Sequence, residues 1–207
     1  MSTPPKTVLH ASPEEEAAIR AAVREARGLE TLAGPRAVAA ARHVAALTAL
    51  LSDPRVSAPV YSLPRPVTEA NVAAWIDGFA QARERGEGLL IVGLDAAGEA
   101  IGYTDAQVWP ARASGEIGGA IRADLQGGGQ GGVGAVRTFN WMFESLSVRL
   151  MCLTAALDNV RSQKLIDAAG FVRMGERDGV RPDGATRRSV YWEMTREAWR
   201  ARWGGSL

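Results

Sequence analysis

Gln126-Gly127-Gly128-Gly129-Gln130-Gly131-Gly132 lies between a segment that reads as a β-strand and one that reads as an amphipathic helix. Glycine permits positive φ and close approach of the backbone to a ligand. The first turn of a helix presents unpaired N–H groups and the positive end of the helix dipole. A glycine run that opens a helix is therefore suited to cradle a phosphate; taken alone it also suits a flexible linker. The run satisfies Gly-x-Gly-x-x-Gly as Gly127, Gly129 and Gly132, with Asp158 placed to pose as the ribose-binding acid of a dinucleotide fold. That reading needs further βα repeats, whereas the remaining chain is short and ends in a hairpin pattern. No Lys-Ser/Thr follows the glycines, which excludes a P-loop.

Upstream of the run, Leu89–Leu94, Ala100–Trp109 and Glu116–Ile121 read as three strands. Their connections are short, so they pair antiparallel in sequence order. Downstream come an amphipathic helix to about Leu146, a strand over Val148–Leu157, and a helix over Asn159–Ala169 stopped by Gly170. Two strands, Phe171–Met174 and Ser189–Met194, and a helix carrying Trp199 and Trp203 close the chain. Towards the amino terminus, Val44, Leu47, Leu50 and Leu51 have helical spacing within residues 36–51, and Ser52-Asp53-Pro54 ends that helix. A proline-rich loop follows, and Thr68 caps a helix bearing Val72, Trp75, Ile76 and Phe79. Ser12-Pro13-Glu14-Glu15 reads as a capping box that starts a helix ending near Gly28. Its apolar content is mostly alanine, which predicts weak packing, and residues 1–10 are expected to be disordered. The division expected is an extension with one helix over 1–28 and one mixed α/β domain over 29–207.

Composition bounds the function. The chain has 207 residues and is 46% hydrophobic, enough for a core without metals or disulfides. Lys plus Arg (24) nearly balances Asp plus Glu (23), which argues against a protein held mainly by charge to nucleic acid or an anionic membrane. Cys152 is the only cysteine, which excludes an internal disulfide and a multi-cysteine metal site. His10 and His43 leave little for a zinc site. No apolar run reaches the ~18 residues of a membrane span, and the first ten residues lack the apolar stretch of a signal peptide. The expectation is a soluble cytoplasmic protein, monomer or homodimer, without a metal, a membrane or direct nucleic-acid contact.

The glycine run also reads Gln-x-x-Gly-x-Gly, as Gln126, Gly129 and Gly131. Asn159-Val160-Arg161-Ser162 followed by Ala169-Gly170-Phe171 resembles an Asn-x-x-Ser…Gly-Phe signature. With Leu51-Ser52-Asp53-Pro54-Arg55-Val56, Trp75-Ile76, Glu116-Ile117-Gly118 and Arg188-Ser189-Val190-Tyr191, these motifs resemble, over about 29–203, the GNAT superfamily of acyl-CoA-dependent N-acetyltransferases. The likeness is to its ribosomal-protein N-terminal acetyltransferase-like branch. It implies an α/β (α+β) fold, with a twisted, mostly antiparallel mixed sheet flanked by helices and central parallel strands that splay apart. The family has a clear first strand where this chain is alanine-rich.

The resemblance also implies a chemistry: direct transfer of acetyl from acetyl-CoA to a primary amine, either a protein N-terminus or a small molecule. Gln126, Gly127, Gly128, Gly129, Gln130, Gly131 and Gly132 would hold the pyrophosphate. Gly118-Gly119 is a sequence reason for a bulge that splays the strands. The amine must be neutral to attack, so a base is required, and Glu116 is the candidate, directly or through water. Ser162 is the candidate partner of the leaving thiolate, and Asn159 would cap its helix and touch the pantetheine arm. Tyr191 is a secondary acid candidate, and Arg161 and Lys164 are candidates for a 3′-phosphate. Trp75 and Trp109 could line an acceptor cleft, and the Arg177…Arg188 stretch could attract an acidic acceptor. Cys152 reads as a buried structural thiol. The alternatives are a non-catalytic acyl-CoA-binding module, which would lack a working acid–base pair, and a dinucleotide-binding protein.

Overall fold

The alternation of apolar and polar residues in the central strands sets two faces, because successive strand side chains point to opposite sides. The computed structural model describes residues 3–60, 62–126, 130–180 and 184–204, and the side chains of residues 130, 131 and 180 are outside the description. Its strands are β1 (Arg36–Val38), β2 (Gly88–Leu94), β3 (Ala100–Trp109), β4 (Ser114–Ile121), β5 (Leu150–Ala156), β6 (Val172–Val180) and β7 (Thr186–Thr195). They form a seven-stranded sheet in the order β1-β2-β3-β4-β5-β7-β6. The β4–β5 pair is parallel and the other neighbours are antiparallel. The helices are α1 (Pro13–Glu25), α2 (Val44–Ser52), α3 (Pro54–Ser57), α4 (Glu69–Arg85), α5 (Gln130–Glu144), α6 (Val160–Ala169) and α7 (Arg196–Trp203). This is the mixed, mostly antiparallel α/β architecture expected.

One face carries Leu89, Ile91, Ala106, Val108, Met151, Leu153, Trp192 and Met194, and packs in a single cluster with residues of α1, α5, α6 and α7. The other face is divided. Over β2 and β3, Leu90, Val92 and Tyr103 pack against Leu47, Leu50 and Leu51 of α2 and Val72 and Ile76 of α4. Over β5 and β7 the cover is polar and comes from the amino terminus. The Lys6 N–H donates to Tyr191 Oη at 2.9 Å, and the Thr7 N–H donates to Glu193 Oε1 at 3.0 Å. The Arg149 guanidinium donates to the His10 carbonyl at 2.6 Å. The stretch 3–10, within the residues expected to be disordered, is thus fastened along its length. Acceptors on β7 and the guanidinium groups of Arg149 and Arg177 hold it, although the segment offers little apolar surface of its own.

Helix α1 also departs from expectation. Ser12 caps it, its Oγ accepting from the Glu15 N–H at 3.2 Å. The helix does not pack weakly: Ile19, Ala22 and Val23 are fully buried in the main core. Its small side chains are the reason, since alanine lets the helix axis come close. Gly86, in the left-handed conformation at the end of α4, shows how close: a Cβ there would lie 2.6 Å from Arg20 Cβ. Trp141 Nε1 then donates to the Arg27 carbonyl at 2.8 Å.

The segment read as one helix over residues 36–51 is instead a short strand, a 3₁₀ turn at Ala41–His43, and α2. Alanine-rich sequence states a weak local preference, and the open edge of β2 takes Arg36–Val38 in antiparallel pairing. The predicted bulge at Gly118-Gly119 is absent. The β3–β4 register runs unbroken from Gly102↔Ile121 to Trp109↔Ser114. The splay lies on the other side of β4: the parallel pairing with β5 covers only Ser114↔Leu150, Gly115↔Met151 and Glu116↔Cys152. Beyond Glu116 the two strands part.

Candidate active site

The parting of β4 from β5 opens a cleft on the divided face, of about 120 Å³. Glu116 is the last residue of β4 paired to β5, and its half-buried side chain stands at the start of the opening. Thr154 Oγ1 donates to Glu116 Oε1 at 3.1 Å, which fixes the carboxylate across the gap. Asn159 and Ser162, at the start of α6, line the same cleft. Asn159 Oδ1 accepts from the Ser162 N–H at 3.1 Å, a side-chain cap that satisfies one free donor of the first turn. The sequence-predicted Glu116, Asn159 and Ser162 therefore meet in one place, although Glu116 is on β4 and the other two follow β5.

Gln126 lies just before the glycine run. Its Nε2 donates to the Ile121 carbonyl at 2.9 Å, and its Oε1 accepts from Arg161 at 2.7 Å. It therefore ties the end of β4 to α6, and Arg161 is engaged there. Gly127, Gly128 and Gly129 lie outside the described residues. Gln130, Gly131 and Gly132 form the first turn of α5, so the N–H groups of a helix start are present where the motif requires them. Nothing approaches within 4 Å of a Cβ built on Gly132.

The other residues singled out in the sequence make contacts of their own. Tyr191 is buried, accepts from the Lys6 N–H and donates to the Glu193 carboxylate; burial and that donation push its pKa up. Cys152 is buried as expected, and burial with the nearby Glu116 carboxylate raises its thiol. Trp75 meets Phe79 and Tyr103 edge-on and lines no part of the cleft; Trp109 does not line it either. In the β6–β7 hairpin, Arg177 lies over the Tyr191 ring, Arg187 bonds Asp158 at 2.6 Å, and Arg188 pairs with Glu176. His43 Nδ1 accepts from the Ala40 N–H at 3.1 Å, and burial lowers its pKa. Among the described residues no cluster of three or more His, Cys, Asp or Glu could hold a metal, and no helix is long and apolar enough to cross a membrane.

Sequence reading missed Asp105, Gln107 and Thr154, which also line the cleft. The signal for Asp105 was its place on β3, an acid in a strand otherwise largely uncharged. Its carboxyl is raised to about 6 by burial, partly offset by the N–H groups of Asp105 and Gly118. A larger hollow of about 640 Å³, lined by residues of α4 and the segment 38–41, holds no predicted site residue.

The arrangement suits acyl transfer: a carboxylate at the mouth of a parted strand pair, a capped helix start on its rim, and a glycine-rich helix start. Residues 36–172 match the family model of the acetyltransferase (GNAT) domain. The fold is shared with the ribosomal-protein-S5-alanine acetyltransferase of Vibrio fischeri, at a TM-score of 0.66 and 16% identity, over 79% of this chain and 93% of that one. It is shared with Mycobacterium smegmatis RimJ in complex with CoA-disulfide, at 0.66 and 18%, over 78% and 81%. It is also shared with AAC(6')-Ib in complex with ribostamycin and coenzyme A, at 0.66 and 20%, over 81% and 96%. A search of the curated proteins found no match. With the family model covering more than half of its length, the chain belongs to the GNAT acetyltransferase domain family and is an acyltransferase.

Proposed function

We propose that the protein moves the acetyl group of acetyl-CoA to a primary amine by direct transfer in a ternary complex. The acceptor is a protein N-terminus or a small molecule. The observation that carries this reading is the three-residue pairing of β4 with β5, which parts just after Glu116 and leaves that carboxylate, Asn159 and Ser162 around one opening. The residues fit the group to be held. The parted strands leave backbone groups of β4 free to bond an extended pantetheine arm, and the start of α5 offers N–H groups to a pyrophosphate. The solved neighbours in complex with coenzyme A or CoA-disulfide agree with such a donor.

When bound, acetyl-CoA supplies the activated acyl carbon. Glu116, oriented by Thr154, accepts the proton of the acceptor ammonium directly or through one water, so that the nitrogen lone pair becomes available. Ser162 offers its hydroxyl to the sulfur that departs, and Asn159 fixes the turn that presents it. The glycine run holds the phosphates, and Gln126 ties its base to β4 and α6.

Calorimetry with acetyl-CoA, followed by an acceptor screen over amines and peptides with mass detection, tests the reading. Binding with acetyl transfer supports it; binding without transfer to any acceptor identifies a non-catalytic module. Replacing Gly129 or Gly131 with valine should weaken acetyl-CoA binding ten-fold or more, about 1.4 kcal/mol. Unchanged affinity would remove the loop from the donor site.

A further inference from the structure

Asp105 is a charged residue in a place where its neighbours are apolar. Across β2 it faces Leu90, and two residue pairs along, on the same face, is Val92↔Tyr103. Across β4 it faces Gly118. A Cβ at Gly118 would lie 2.3 Å from Asp105 Oδ1, so the absence of a side chain at 118 is what leaves room for the carboxylate. Gly118 is already past the last β4–β5 pair, and the Asp105 carboxylate therefore overlies the part of β4 that borders the splay. Its Oδ1 is enclosed and has no hydrogen-bond partner. The same cleft is lined by Gln107 and Glu116, which are register partners on β3 and β4. Asp105 is the next residue on that face, roughly 7–8 Å from Glu116 along the diagonal.

The charged and titratable groups around it are few. Tyr103 is on its own strand; Arg65, in the loop before α4, acts on Tyr103 and donates from Nη2 to the Ser57 carbonyl at 2.7 Å. Glu116 lies diagonally across from it on β4. The Arg65 Nε and Tyr103 Oη are enclosed and, like Asp105 Oδ1, have no hydrogen-bond partner. Desolvating a carboxylate without an ionic partner costs stability. An enclosed polar atom without a partner calls for an explanation, and completion by a bound ligand is one.

Resting on the acetyl-transfer reading above, we propose that Asp105 receives the acceptor's cationic nitrogen, so that a primary alkylammonium docks between Asp105 and Glu116. Asp105 holds the charge and Glu116 takes the proton. One proton leaves the ammonium nitrogen for the Glu116 carboxylate, and the neutral amine remains in the cleft with its lone pair free. Asp105 is thus the specificity residue that selects cations over neutral alcohols of the same shape.

The test uses the full chain and two probes, n-butylammonium and n-butanol, with carboxyl-carbon NMR of Asp105 assigned through D105N. Butylammonium should shift the Asp105 carboxyl resonance saturably and lower its titration midpoint, while butanol should do neither. In D105N, butylammonium affinity should fall ten-fold or more, with acetyl-CoA affinity unchanged. Thermal stability supplies a second readout that needs no ligand. A carboxyl whose folded pKa is raised loses stability for the fold as pH climbs from the ordinary aspartate value of 3.8 through about 6. D105N should therefore melt higher than the wild type above pH 6, and the difference should vanish below about pH 4. Equal butylammonium affinity in the two proteins, no response of the wild type at tens of millimolar, or a D105N protein less stable at neutral pH overturns the proposal. Acetyl-CoA binding, measured separately, tells that failure apart from failure of the donor site.

Discussion

The two halves of the sheet are held in different ways. Away from the cleft, the antiparallel ladder β1–β4 has apolar cover on both faces: α1 and α5 belong to the cluster on one, α2 and α4 to the other. The β5-β7-β6 half has an apolar core on one face only. On the other, Tyr191, Glu193 and Cys152 lie under a strap of irregular chain held by hydrogen bonds. The halves share three residue pairs, Ser114–Glu116 with Leu150–Cys152, and the candidate active site opens where they part. A cleft needs a place where cover is interrupted and polar groups are tolerated. The junction between apolar and polar cover supplies both, while the continuous core beneath keeps the halves aligned.

The largest effect should come from removing what that continuous core takes from the amino terminus. Deleting residues 1–28 exposes the surface sealed by Ile19, Ala22 and Val23 and removes the strap over β7. The truncated protein should be insoluble or lack a cooperative melt. Ile19→Ala alone should cost about 2–5 kcal/mol in denaturant unfolding. A truncated chain that folds normally and binds acetyl-CoA would make α1 an appendage after all.

At the junction itself, Glu116→Gln keeps shape and removes basicity. Turnover on an acceptor found by the screen should fall by roughly 10²–10⁴, with acetyl-CoA binding nearly unchanged. The loss should shrink as pH rises, because more of the amine is then already neutral. Ser162→Ala should lose activity without that recovery at high pH. Wild-type turnover by Glu116→Gln at neutral pH would leave the site as a positioning device.

The comparison between the two covers is sharpened by a matched pair of substitutions. Leu51→Ala, under the apolar cover, should cost about 2–5 kcal/mol. Tyr191→Phe, under the polar one, removes a hydroxyl bonded to Lys6 and Glu193 and should cost about 1 kcal/mol. Equal costs would mean that the strap contributes as much as packed side chains do.

The smallest expected effect is a local one in acid. Burial tends to raise the Glu193 carboxyl, but hydrogen bonds from Thr7, Tyr191 and the Lys6 N–H outweigh it and hold the pKa below the ordinary 4.5. A depressed pKa means stability present above the unfolded value and lost as pH falls through the folded one. The strap should therefore loosen as pH falls below 4.5 and through the folded value, while the core persists. Amide exchange at Lys6 and Thr7 should speed up there ahead of the amides of β2 and β3. Simultaneous loss of both sets would show that the halves do not differ.

Most elements were legible in the sequence because they state themselves locally. The Ser12, Thr68 and Asn159 caps, the alternating strands, the Asp95–Gly98 hairpin and the stop at Gly170 each depend on neighbours a few residues away. Glu116, Asn159 and Ser162 were legible as a set only through their family-like order, since they are distant in sequence and meet because β4 and β5 start side by side. The sequence determined the element order from α4 onward, the α/β class and the candidate residues of an acetyltransferase. Tertiary structure decided four matters. Residues 36–38 form a strand because an open β2 edge was available to an undecided segment. An alanine helix becomes core because small side chains allow close approach. The strands part through the end of a parallel ladder, with the β3–β4 register intact. Asp105 belongs to the site because Gly118, thirteen residues away, leaves space above it. Each of these depends on what lies opposite a residue across the sheet or core, and local sequence preference does not encode that.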